Sequence, residues 1–277
     1  MFQGLLLALV LPLSVTLASA SVLYVDLNSV SPVPPYSDWS TAATNIQDAV
    51  DVASTNDVVL VTNGLYQAGG RAVNGLLTNR LSVTKAVTVQ SVNGPGATTI
   101  SGFGGSPSLQ TTNEISKVRC AYLASGALLS GFTLTNGAAL NVRGSPDGNG
   151  GGVWCESASA VVSNCVLTGN TAVYSGGGAC QGTLINCWLT NNYSFLAGAG
   201  ASQSILQGCV LIDNEAGGNG GGAANCTLNN CTVVRNSTFR LSGVEGAHFP
   251  APWLTAYYIQ IPCSALYRSQ PRTLTDA

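Results

Sequence analysis

Between residues 160 and 238 apolar positions come in short bursts, and the bursts recur at one interval. Val162, Leu184, Leu206 and Leu228 each stand three residues before a cysteine, and Leu167, Leu189, Leu211 and Val233 each stand two after it. A cysteine and the aliphatic two residues on share one face of a strand. The cysteines themselves, Cys165, Cys187, Cys209 and Cys231, are 22 residues apart, and Asn170, Asn192, Asn214 and Asn236 keep the same step. Helical spacing is absent. A fixed period of this length marks a solenoid, in which each unit buries its apolar face only against its neighbours.

Glycine triplets open the unit at Gly150-Gly151-Gly152, Gly176-Gly177-Gly178 and Gly220-Gly221-Gly222, with Gly198-Ala199-Gly200 as the variant. The first triplet sits 26 residues before the second, and Glu156-Ser157-Ala158-Ser159 reads as a four-residue loop insertion. Each unit is therefore two or three short strands joined by bends: one coil of a parallel β-helix. Strands of adjacent coils lie ~4.8 Å apart, so a residue type repeated per coil becomes a column. The cysteine column reads as small hydrophobes filling a narrow core. Chained disulfides or a metal site are the rival readings, without CxxC or CxxH pairs to favour the latter. The asparagines fall where a strand ends, and their amides read as a stacked, hydrogen-bonded ladder.

Upstream the pattern is looser. Residues 22–26 read as a first strand, and a helix capped by Ser40 or Thr41 is expected to run to about residue 54, with Ile46, Ala49, Val50 and Ala53 as its stripe. It would cap the open N-terminal end of the solenoid. Strands follow at 58–62, 86–90, 98–101, 122–124 and 128–134. The expected organisation is a signal peptide at 1–20, a strand and capping helix at 21–57, about seven coils over 58–238, and an anomalous tail at 239–277. The leader is apolar from Leu5 to Leu17 and ends on Ala18-Ser19-Ala20, a cleavage-site form that implies export and a secreted or cell-surface location.

Composition sharpens this picture. Only 8% of residues are charged, against roughly 25% in an ordinary domain, and the net charge is −2. That leaves no basic footprint for nucleic acid or anionic membrane. The sequons at Asn192 and Asn236 overlap the ladder, where a glycan would not fit.

These residues carry a resemblance. Val22-Leu23-Tyr24-Val25-Asp26, Ile46-Gln47-Asp48-Ala49-Val50-Asp51 and Asp57-Val58-Val59-Leu60-Val61 resemble the entry segment of secreted bacterial right-handed parallel β-helix proteins of the pectin lyase-like superfamily. The Gly177-Gly178-Ala179 and Cys187-to-Asn192 units are similar to repeats of polymorphic outer-membrane or adhesin-like β-helices, which usually carry Phe where this chain has Cys. The resemblance covers residues 22–238 and implies an all-β, right-handed parallel β-helix. It leaves chemistry open, since the superfamily includes lyases, hydrolases, epimerases and inert surface proteins.

Catalysis on this fold requires converging carboxylates or an acidic cluster beside a cation. Between residues 58 and 238 the carboxylates are Glu114, Asp147, Glu156, Asp213 and Glu215; the cations are Lys85, Lys117, Arg71, Arg80, Arg119, Arg143 and Arg235. The register pairs only Asp213 with Arg235, outward and one coil apart, where a solvated ion pair is expected; a metal at Asp213 and Glu215 is the sharper alternative. No catalytic, cofactor-binding or metal residue is assigned, and no cofactor is expected. Outward Trp154, Trp188 and Tyr193 could stack on sugars. The expected function is a structural, adhesin-like or glycan-binding surface protein, with a polysaccharide or cell-surface glycan as partner; the alternative is a polysaccharide lyase or glycoside hydrolase.

The tail breaks the pattern. A further coil is due near 242–258, yet 246–263 has no glycine triplet, no Cys-x-Leu-x-x-Asn and the chain's only histidine, His248. Read from the third base of codon 247, the back-translated segment allows Thr-Leu-Ala-Asn-Cys-Val-Leu-Tyr-Ser-Asn. Residues from about 245 are therefore expected to be out of the native frame.

Overall fold

A computed structural model describes residues 19–104, 116–142 and 145–239. The expected leader up to residue 18 and the tail from 240 lie outside the described residues, as do Glu114 and Arg143. Strands stack into sheets of eight, seven and seven members, with a four-stranded ladder on a further side. One regular coil runs Val161–Ser163 in the first sheet, Val166–Thr168 in the second, Thr171–Ala172 in the fourth ladder and Ala179–Cys180 in the third. Neighbouring coils pair parallel at the 22-residue offset, as in Leu167–Leu189–Leu211. From Val58–Val61 to Thr227–Asn229 the first sheet counts seven strands and hence seven coils, preceded by Val22–Val25. The architecture is the expected parallel β-helix.

The corners explain the polar residues between strands. Asn186 (φ 52°) and Asn191 (φ 53°) sit in the left-handed region at successive bends, a conformation that Asn tolerates better than most side chains. The glycine triplets answer a tighter demand. Gly176 has φ 69°, and a Cβ on Gly177 would lie 2.2 Å from the carbonyl oxygen of Tyr193 in the next coil. The inserted loop is also where expected: Trp154 pairs with Cys180 and Val161 with Thr183, so seven residues separate the strand positions in one coil and three in the next.

Both columns form. Cys165, Cys187, Cys209 and Cys231 are at most 3% exposed and belong to the main core. They are not purely apolar fillers, because Cys187 Sγ donates to the carbonyls of Val162 (3.4 Å) and Ile185 (3.3 Å). In the asparagine ladder each Oδ1 accepts two bonds from the coil before. Asn170 donates from its backbone N (3.1 Å) and Nδ2 (3.0 Å) to Asn192, which repeats both bonds toward Asn214. Each Nδ2 also reaches back, as Asn192 does to Leu167 O at 2.8 Å. The ladder sequons are therefore inside the wall, with Asn192 and Asn236 buried.

The N-terminal helix differs from expectation at its start. Ser40 and Thr41 fall in a 3-10 turn, Trp39–Thr41, capped by Asp38. The α-helix is Ile46–Val52, and Asn45 caps it by accepting from Asp48 N. Asn45 carries both the acceptor and an amide that reaches Asp48, so it holds this end more completely than a hydroxyl. The stripe is as expected, with Ile46, Ala49, Val50 and Ala53 buried. One helical residue was not foreseen. Gln47 Oε1 accepts from Ser82 N (2.7 Å) and its Nε2 donates to Ser82 O (3.1 Å), so a side-chain amide takes the place of a neighbouring strand. The antiparallel pair Arg71–Ala72 with Thr78–Val83 covers more of that edge.

Candidate functional site

The three aromatics singled out in the sequence stand on three different faces. Trp188 is 56% exposed on the second sheet, between Val166 and Val210 of the adjacent coils. Tyr193 faces outward on the fourth ladder and stacks on Phe239, ring centroids 5.8 Å apart. Trp154 lies on the third sheet and stacks on Tyr122 at 5.5 Å and 23°. They do not form one platform.

The third sheet instead holds a polar nest that the sequence reading left as scattered charges. Irregular stretches at 73–77, 137–142 and 145–150 fold over its outer face, with Leu77, Ala139, Leu140 and Ala172 as a satellite apolar cluster. Beneath them Arg119 is 1% exposed. Its guanidinium donates to Gly150 O (2.8 Å), Asn79 Oδ1 (2.8 Å), Pro146 O (3.0 Å) and Asn149 O (2.8 Å). Asp147, also buried, accepts from Leu76 N at 2.7 Å and so ties one stretch to another. Tyr122 receives a bond from Asn74 Nδ2 (3.0 Å) and donates to Glu156, whose other oxygen accepts from Ser125 N (3.1 Å). Register could have exposed the nest, since Asn79 pairs with Arg119 and Tyr122 with Trp154. Irregular coil lengths hid it.

The electrostatics show what the nest does. Burial lowers the Arg119 pKa to about 10, opposed by the nearby Asp147 charge, so the group stays cationic at neutral pH inside a cage of carbonyls. Burial and the bond to Glu156 push the Tyr122 phenol well above its usual range. Neither group is poised as a base at neutral pH, and the Arg119 donors are spent on the backbone. The nest is a latch. Asp213 is engaged by Arg235 through two bonds of 2.8 and 2.7 Å, and that ion pair holds its carboxyl below the usual range. Among the described residues no group of three His, Cys, Asp or Glu side chains could hold a metal ion.

The most exposed of the three aromatics, Trp188, stands on the second sheet. The outward columns of that sheet run from Thr99 through Thr133, Val166, Trp188 and Val210 to Thr232, and from Thr135 through Thr168, Thr190 and Ile212 to Val234. Neither column contains a charged residue.

No family model and no curated protein matches the sequence. Solved structures do match. Pectate lyase Pel9A aligns at 12% identity and a TM-score of 0.51, over 83% of this chain and 57% of that one. A rhamnogalacturonan lyase aligns at 12% identity and 0.44, over 82% and 64%. A pectin methylesterase in complex with a hexasaccharide aligns at 15% and 0.37, over 83% and 59%. The chain thus spans less than two thirds of the length of each. The pectate lyase match and the parallel sheets together show a shared fold, the parallel β-helix.

Proposed function

We propose that this protein is a secreted or cell-surface β-helix that binds a polysaccharide without cleaving it, through the second-sheet face around Trp188. One observation carries the reading: a Trp with more than half its side chain exposed stands on a sheet whose backbone is fixed by coils on both sides. Aromatic faces stack on the apolar faces of sugar rings, and a rigid ring loses little entropy on contact. The adjoining column of Thr135, Thr168 and Thr190 supplies hydroxyl partners at ~4.8 Å steps. An uncharged face suits neutral sugars. Polyuronates call for cations, which these columns lack.

The alternative is a carbohydrate-active enzyme, a polysaccharide lyase or glycoside hydrolase, and the fold shared with a pectate lyase favours it. Affinity electrophoresis in gels containing neutral glucans, xylans, pectin or alginate separates the two. Retardation by a neutral polymer is expected, weakened roughly tenfold or more by Trp188→Ala at an unchanged melting temperature. Binding to pectin alone would sink the neutral-sugar reading. Release of reducing ends or unsaturated uronates from any polymer would establish the enzyme instead.

A further inference from the structure

The last described coil ends as though another should follow. Leu206 and Leu211 in the sixth coil are fully buried, whereas their counterparts Leu228 and Val233 in the seventh are only partly buried, with Cys226 and Ala223 beside them. Strands Thr227–Asn229, Thr232–Val234, Ser237–Thr238 and Ala223–Ala224 are all terminal members of their sheets. The ladder stops in the same way. Asn170, Asn192 and Asn214 each donate a backbone N–H to the next asparagine's Oδ1, and the fourth donor in that series, Asn236 N, has no acceptor among the described residues. A polar edge and an apolar core open at one end want a cover that supplies both a strand and an asparagine.

We infer that this end is an interaction surface for one more coil of the same repeat, and that the codons beneath residues 247–262 specify that coil one base out of frame. Much of the match is independent of codon choice. Read from the third base of codon 247, the Pro252/Trp253 junction gives Leu, Met or Val whatever the codon. The Tyr257/Tyr258 junction gives only Leu, and the Gln260/Ile261 junction only Asn or Asp. The Thr255/Ala256 junction permits Cys, and relative to it those three fall at −3, +2 and +5. These are the offsets of Leu184, Leu189 and Asn192 from Cys187. The Leu254/Thr255 junction permits Asn at −1, where Asn186 makes its left-handed bend. The new Cys would stand 24 positions after Cys231, a coil two residues longer than the repeat. Such a coil delivers an aliphatic pair over Leu228 and Val233 and an Oδ1 to Asn236 N.

The coding claim and the surface claim are tested separately. For the first, the native locus is sequenced and the C-terminal peptides of the natural protein are read by mass spectrometry. Shifted-frame peptides carrying Leu two and Asn five residues after a Cys are expected; a native peptide reading Ala247 to Pro262 as written overturns the claim. For the second, the present chain is compared with one continued in the shifted frame after residue 246, by thermal melting and light scattering. The continued chain should melt higher and remain monomeric. Equal melting and equal association would overturn the surface claim, and a discrete dimer of the present chain as stable as the continued one would give the face to a second copy. Val233→Asp serves as control: it should destabilise the continued chain much more than the present one, and equal effects count against the new coil.

Discussion

At the residue scale, position within a column decides what a side chain is worth. The Asn192 side chain makes four ladder bonds, accepting two from Asn170 and donating to Leu167 O and Asn214 Oδ1. Asn192→Ala strips partners from three neighbours and is expected to cost about 2–4 kcal/mol in urea unfolding. Its exposed neighbour Asn191 holds a left-handed bend and donates one exposed bond to Thr190 Oγ1, so Asn191→Ala should cost ~1 kcal/mol, mostly from backbone strain. Equal losses at the two sites would remove the ladder's special standing. Cys187→Ser should cost about 1 kcal/mol, because the hydroxyl inherits the carbonyls of Val162 and Ile185 while losing apolar volume. A loss of several kcal/mol would mean those carbonyls are out of reach. Both columns were legible in the sequence because identical residues at a constant step need no knowledge of the chain path. Arg119 and Asp147 were not: Arg119 meets Asn79 across 40 residues of chain and Asp147 meets Leu76 across 71, through loops of unequal length.

At the element scale, side chains stand in for missing strands and missing caps. Gln47 closes the third sheet by bonding both backbone groups of Ser82, and the helix that carries it was legible from its apolar stripe. Its start was not legible, because Asp38, Ser40, Thr41 and Asn45 all compete as caps within eight residues, and only tertiary docking selects Asn45. The stretch 145–150 depends on Arg119 in the same way. Arg119→Met leaves the carbonyls of Asn149 and Gly150 without their donor, takes one of two from Pro146, and should cost about 3–5 kcal/mol, with faster proteolysis in that stretch. Removing the exposed Arg235 partner of Asp213 should leave the urea midpoint essentially unchanged, because solvent screens the pair. If the two substitutions proved equivalent, the buried guanidinium would not be the latch.

For the whole molecule, a core lined with thiols ties stability to alkali. Burial raises Cys120 and Cys180 to about 12 and Cys165 to about 11, and hydrogen bonding to Cys187 together with burial raises Cys209 to about 12, all from an ordinary value of 9.0. The folded state keeps these protons where the unfolded chain has released them. Their contribution is therefore complete below pH ~9 and declines between there and about 12, with each thiol adding a slope of about −1.4 kcal/mol per pH unit. The depressed pKa values of Arg119 and Arg80 act in the opposite sense, from the upper part of that range onward, but they are two groups against four thiols. Urea midpoints under reducing conditions should be flat from pH 6 to 8 and fall steeply by pH 10; a flat profile through pH 10 would place the thiols in contact with water. The ladder has a last consequence, for the order in which the chain assembles. Asn170, Asn192 and Asn214 each take bonds on Oδ1 from the coil before and give their backbone N–H to the next asparagine, so coils are not interchangeable end for end. Most contacts join residues about one coil apart in sequence, and the entropy of closing each loop stays the same however long the solenoid grows. A chain emerging N-terminus first can thus set each new turn on a finished one, beginning from the helix at its base, in a folding process with a built-in direction.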